Sequence, residues 1–165
     1  MTSSELRAVV RAHFGPQGHG HVVFEEVRSE TGWTSGKPTR SCDVLALSLW
    51  RTKGIELHGL ELKVSRGDWL RELRQPEKAG AIAKYVDRWW LVVPSLDVAQ
   101  PMELPPGWGL MVVDAERVAA GLTRPLRVVV KAPKRDAAPL DRLFVAALMR
   151  KVARGEFDLG RKAAA

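Results

Sequence analysis

The chain has 165 residues, 45% hydrophobic and 27% charged, which is enough for one cored domain and too short for two. Its single cysteine, Cys42, excludes a disulfide framework and a thiolate zinc cluster. The 26 Lys and Arg exceed the 19 Asp and Glu by seven, and a formal charge of +7 points to an anionic partner.

That excess is local. Residues 124–165 hold 11 Lys and Arg against 4 Asp and Glu, whereas residues 1–123 hold 15 of each sign. No apolar run reaches the roughly 18 residues of a membrane helix, and the Met-Thr-Ser-Ser-Glu start lacks the basic and apolar regions of a signal peptide. A cytoplasmic location without a membrane partner is therefore expected.

Ser3 or Ser4 can cap a first helix that runs to about Phe14, with Glu5 in its first turn and Leu6, Val9, Val10 and His13 on one side. Gly15-Pro16-Gln17-Gly18 ends it. His19-Gly20-His21 reads as a turn entering a strand, since two histidines do not complete a metal site. The first strand spans about 22–28, where Glu26 or Glu25 either faces solvent or adds an acid beside Asp43. Residues 31–39 form a loop with Trp33 and Lys37, followed by Arg40. The Trp either stacks on a base while the cations hold phosphates, or pins itself onto the core.

Residues 41–74 carry the most information. Val44, Leu45, Leu47, Leu49 and then Ile55, Leu57, Leu60, Leu62, Val64 predict two strands joined by a polar Arg51-Thr52-Lys53-Gly54 turn. Symmetry about Thr52 places Leu49 opposite Ile55, Leu47 opposite Leu57, Leu45 opposite Gly59 and Asp43 opposite Glu61. Lys63 lies two residues beyond Glu61 and shares its face, so two carboxylates and an ammonium should cluster at the open end of the hairpin.

Facing carboxylates repel unless a cation lies between them. Mg2+ or Mn2+ suits, because such ions take one or two carboxylates plus waters and substrate phosphate. Asp43, Glu61 and the Leu62 carbonyl are the candidate ligands. Lys63 is placed to orient or deprotonate a water, or to stabilise charge on a phosphate. The rival reading is an exposed ion-pair patch on a solvated strand. Cys42, among apolar neighbours, reads as a buried inert thiol.

Ser65-Arg66-Gly67-Asp68 has the spacing of a helix cap, with Trp69, Leu70 and Leu73 following at helical intervals. Arg66 and Arg71 on the outer face are candidate nucleic-acid contacts. Pro76 should break or kink this helix, and Ala79, Ile82, Ala83 and Val86 mark its continuation. Residues 89–93 predict a strand buried on both faces, paired in parallel across the helical crossover. After a proline-containing loop come strands near 110–113 and 126–131, then a helix between 139 and 154 with Leu140, Leu143, Phe144, Ala147, Leu148 and Val152 as its apolar stripe.

Arg40-Ser41-Cys42-Asp43 followed by Glu61-Leu62-Lys63-Val64-Ser65 resembles the PD-(D/E)XK nuclease superfamily, whose pattern is an acid on one strand and Glu-x-Lys on the next. The order helix, strand, strand, strand, helix, strand over residues 3–94 is similar to that family's core, in its small phage or bacterial members. The resemblance implies an α/β, restriction-endonuclease-like mixed β-sheet flanked by helices. In a single domain over 1–165, residues 1–94 would be the nuclease-like core and 95–165 an extension with C-terminal strands and a basic helix.

It also implies a Mg2+- or Mn2+-dependent nuclease acting on nucleic acid, DNA first, in repair, recombination, or phage and restriction processes. Asp43, Glu61 and Lys63 would be catalytic, with Glu5 or Glu26 as an additional acid. The subgroup with Gln and Tyr four apart on the second helix is not matched, since Ala81 precedes Tyr85. A rival expectation is a non-catalytic nucleic-acid-binding module on the same fold. Another is an interface protein using the six Trp and the last helix. A homodimer is open to any of these.

Overall fold

The computed structural model describes residues 1–15, 20–28, 41–74 and 80–158. Helix α1 (Ser3–Phe14) starts where the Thr2 side chain accepts the Glu5 amide hydrogen and the Glu5 carboxylate accepts that of Thr2. This reciprocal cap satisfies two open donors. It uses Thr2 rather than Ser3 or Ser4, because Thr2 keeps the extended backbone from which its hydroxyl reaches Glu5. Leu6, Val9, Val10, His13 and Phe14 recur at helical spacing, and all are buried.

Strands β1 (His21–Arg28), β2 (Ser41–Ser48), β3 (Leu57–Leu62), β4 (Arg88–Val93), β5 (Trp108–Val113) and β6 (Leu126–Val130) form one sheet in chain order. β1, β2 and β3 are antiparallel neighbours, β4 is parallel to β3, β5 is parallel to β4, and β6 returns antiparallel. Helices α2 (Arg66–Leu73) and α3 (Gly80–Ala83) lie between β3 and β4 in the chain, the crossover that parallel pairing requires. α3 is shorter than its predicted stripe, with Val86 buried beyond its end. Helix α4 (Ala115–Ala119) follows an Asp114 cap, and five residues are too few for apolar periodicity to announce it.

Leu45 stands opposite Gly59 and Leu47 opposite Leu57, the register that symmetry about Thr52 predicts. The connection differs from a tight turn. The Ser48 amide donates to the Glu56 carbonyl at 3.0 Å, and Arg51–Lys53 then form a 3-10 turn ended by Gly54 at φ +65°. That turn spreads the strand ends, so Leu49 and Ile55 are 52% and 64% exposed instead of paired.

Both faces of the sheet are covered, which explains why β4 is apolar from Trp89 to Val93. On one face Leu6, Val10 and Phe14 of α1 pack with Val23, Val44, Leu60 and Trp90. On the other, Phe24, Leu45 and Trp89 meet Ile82 of α3 and Phe144 and Leu148 of α5 (Arg142–Ala153), while Trp69 of α2 packs on Leu91, Val93 and Leu110. A Cβ on Gly59 would lie 2.5 Å from the Trp89 ring, so this indole lies against β3 because residue 59 is glycine.

The α5 stripe is narrower than expected. Phe144, Ala147 and Leu148 are buried, whereas Leu140, Leu143 and Val152 are exposed, because the helix rests on the edge strand β1. Among the described residues no helix is long and apolar enough to cross a membrane.

Candidate functional site

The β2/β3 ladder ends at Val44 and Leu60, so the expected Asp43–Glu61 pair lies just outside it. Beyond it the Leu62 amide donates to Oδ2 of Asp43 at 2.9 Å, and the Lys63 amide donates to the Val92 carbonyl on β4 at 3.1 Å. Every described peptide is trans, so the Leu62 carbonyl points opposite to the Lys63 N–H and faces the β2 side, where Asp43 sits.

Glu61 and Lys63 emerge together. The Lys63 Nζ lies 2.5 Å from Oε1 of Glu61 and 3.2 Å from Oε2 of Glu72 on α2, and all three side chains are between 12% and 15% exposed. Lys63 and Glu72 border a cleft of about 290 Å³, lined also by Asp43, Leu62, Asp68, Arg71 and, from α1, Ser3 and Arg7, whereas Glu61 is not among its lining residues. Arg7 also borders a second cleft of about 410 Å³, with Arg11, Glu25, Glu26, Lys151 and Glu156.

Burial first, and the Asp43 charge second, push the Glu61 carboxyl up to about 7, while Lys63 works against them. Burial alone would lower the Lys63 ammonium, yet Glu61, Glu72 and Asp43 outweigh it and hold it above its ordinary value. The cluster therefore already contains a cation of its own.

Among the described residues no group of three or more His, Cys, Asp and Glu could hold a metal ion. Two carboxylates and a carbonyl are instead the partial, oxygen-only set that Mg2+ or Mn2+ accepts when water and phosphate complete the shell. The donor chemistry fits such an ion provided that Lys63 gives up Glu61.

The other expected residues are placed elsewhere. The Glu5 carboxylate is spent in the α1 cap and does not line the cleft. Glu26 is 69% exposed and bound to Arg7 at 2.7 Å, its backbone at φ +49° because that residue leaves the strand alternation. Arg66 is partly exposed but already engaged: its guanidinium donates to both carboxylate oxygens of Glu103 and to the Val98 carbonyl, since the first turn of α2 abuts that segment. Arg71 does line the cleft, paired with Asp68. Trp33, Lys37 and Arg40 lie outside the described residues. Cys42 is buried and donates to the Val44 carbonyl, and burial pushes its thiol far up.

Glu72 and Arg7 escape a strand-based search. A signal for Glu72 exists: Asp68, Arg71 and Glu72 lie three and four apart on a helix that begins directly after Lys63, so they share a face. Ser3 and Arg7 repeat that spacing on α1.

Fold and site together define an α/β protein with a mixed six-stranded sheet flanked by helices and a charged cleft at one end of β2 and β3. The chain matches no family model and no curated protein. It is similar to a solved structure, the SPO1766 protein of unknown function from Silicibacter pomeroyi, at 24% identity and a TM-score of 0.53, over 87% of this chain and 86% of that one. The likeness is one of fold. Its coverage extends well past Pro94, so part of the C-terminal region belongs to the shared architecture.

Proposed function

We propose that this protein is a Mg2+- or Mn2+-dependent phosphodiesterase acting on nucleic acid, DNA first, on a restriction-endonuclease-like fold of the PD-(D/E)XK type. One observation carries the reading: Asp43 from β2 and Lys63, directly after β3, line a single cleft, and the Lys63 ammonium lies 2.5 Å from the Glu61 carboxylate behind it. Asp43, Glu61 and the Leu62 carbonyl would hold the ion, which when bound supplies charge neutralisation at the phosphate and a more acidic water.

In hydrolysis a water oxygen joins phosphorus as the bond from phosphorus to one sugar oxygen breaks. Lys63 donates hydrogen bonds to that water and to a non-bridging oxygen. Arg7 and Arg71 at the cleft margin add positive charge for flanking phosphates. Phosphoryl transfer needs mainly such positioning and neutralisation.

Calorimetric titration with Mg2+ and Mn2+, followed by cleavage assays on single-stranded, duplex, flapped and branched substrates, tests this. Absence of both binding heat and cleavage would sink it. The second reading, a non-catalytic nucleic-acid-binding module, is favoured by the way Lys63 already neutralises Glu61 and Glu72. It predicts nucleic-acid affinity that chelators leave unchanged.

A further inference from the structure

We infer that Glu72 is a positioning residue that receives the Lys63 ammonium when a divalent cation takes Glu61. This rests on the reading of the cleft as a cation site and specifies how the cleft changes as it fills. The Lys63 Nζ is 2.5 Å from Oε1 of Glu61, so an ion that took this oxygen would meet a like charge at close range. The ammonium must move.

It has little freedom to leave for water, because the side chain is 14% exposed and an unpaired, largely buried ammonium is costly. Glu72 offers the alternative. Its Oε2 is 3.2 Å from the same nitrogen, and a shift of less than about 1 Å brings the two to ordinary charge-assisted hydrogen-bond distance.

Glu72 also stands on a fixed support. Helix α2 is capped by Ser65, tied through Arg66 and the Trp69 indole to Glu103, and pinned by the buried Trp69 ring. Lys63 itself is anchored by its amide to β4. The transfer therefore keeps the ammonium at the cleft wall, facing the space where water and phosphate would lie. Glu72 acts through Lys63 and is not a ligand.

The test follows the Lys63 side-chain ammonium by 15N-edited NMR during a titration with Mg2+ alone, its signal assigned by loss in Lys63→Ala. In the wild type the signal should shift on Mg2+ addition and stay visible, because the ammonium remains hydrogen-bonded. In Glu72→Gln it should be visible without Mg2+, held by Glu61, and vanish on Mg2+ addition. Glu72→Asp should restore it and also covers the case in which Glu72→Gln fails to fold.

In cleavage assays Glu72→Gln should lower kcat by about ten- to a hundredfold with KM within about twofold. Lys63→Ala/Glu72→Gln should be no slower than Lys63→Ala. A Lys63 signal that Mg2+ leaves unmoved in the wild type, or that persists in Glu72→Gln, overturns the inference while the cation site stands. If Mg2+ does not shift the side-chain carboxyl carbons of Asp43 and Glu61, the cation-site reading fails and takes the inference with it.

Discussion

The Asp43 carboxylate accepts the Leu62 amide hydrogen at 2.9 Å, so the acid that faces the cleft also closes the β2/β3 ladder. Asp43→Ala leaves that amide unsatisfied and should lower stability by about 1–3 kcal/mol. Asp43→Asn keeps an oxygen acceptor and should cost less than about 1 kcal/mol, yet both variants should lose Mn2+ binding. Urea unfolding beside calorimetry separates the two effects. Equal stability losses would mean that the Asp43–Leu62 bond does not hold the strand end.

Lys63→Ala removes the resident cation from among Asp43, Glu61 and Glu72. Without divalent ions the variant should be less stable by about 3 kcal/mol, the usual scale for stripping one partner from a largely buried pair. Added Mn2+ should raise its melting temperature more than that of the wild type, with affinity within about tenfold, while cleavage falls more than about a hundredfold. Wild-type cleavage by this variant would end the role given to the lysine.

Acid should weaken the protein through Glu103 and Glu56. Arg66 first, then the Gln100 amide and the Trp69 indole, hold Glu103 down from 4.5 to about 2, and Arg88 with Lys134 holds Glu56 at about 2. A depressed carboxyl binds fewer protons folded than unfolded, so its contribution is full above about pH 4.5 and is lost as pH falls toward about 2. The stability gap between wild type and Glu103→Gln should narrow as pH falls from about 4.5 to about 2. Salt should shrink it further, because Arg66 is 41% exposed. A gap constant with pH would count against the Arg66–Glu103 clamp.

Gly59→Ala places a methyl 2.5 Å from the fully buried Trp89 ring and should cost about 1–3 kcal/mol by overpacking. Adding Trp89→Leu should recover part of the loss. Thermal melts of the two single variants and the double variant decide this, and strict additivity would deny the contact.

The C-terminal charge excess has a measurable consequence for nucleic-acid binding. Lys151 is paired with Glu156 and Lys134 with Glu56, which leaves Arg142 and Arg150 among the exposed cations of α5. Charge reversal at Arg142 and Arg150 should flatten log K against log salt by roughly 0.7–0.9 for each phosphate that these side chains neutralise. An unchanged slope in the folded variant would move the binding surface to the cleft and its Arg7 and Arg71.

The succession of strands along the chain, the helical crossover and the β2/β3 register were legible because each is written locally. Alternation marks the strands, symmetry about a short connection sets which residues pair, and side chains two apart share a face, which brings Glu61 beside Lys63. The connection itself was less legible, since apolar Leu49 and Ile55 carry the alternation past the point where the sheet ends.

By itself, the sequence determined that an acid and a Glu-x-Lys triplet sit at one end of two adjacent strands. Only the tertiary structure decided which helix residues join them. Glu72 meets Lys63 because Trp69 buries one face of α2 and so turns the adjoining Asp68, Arg71 and Glu72 to the cleft, and Arg7 borders it because burial of Leu6 and Val10 fixes the rotation of α1. Glu5 and Arg66 were withdrawn from the site by partners in the α1 cap and in the Gln100–Glu103 turn. The azimuth of a helix depends on what its apolar face packs against, and that packing joins residues far apart in the chain, so no local spacing encodes it.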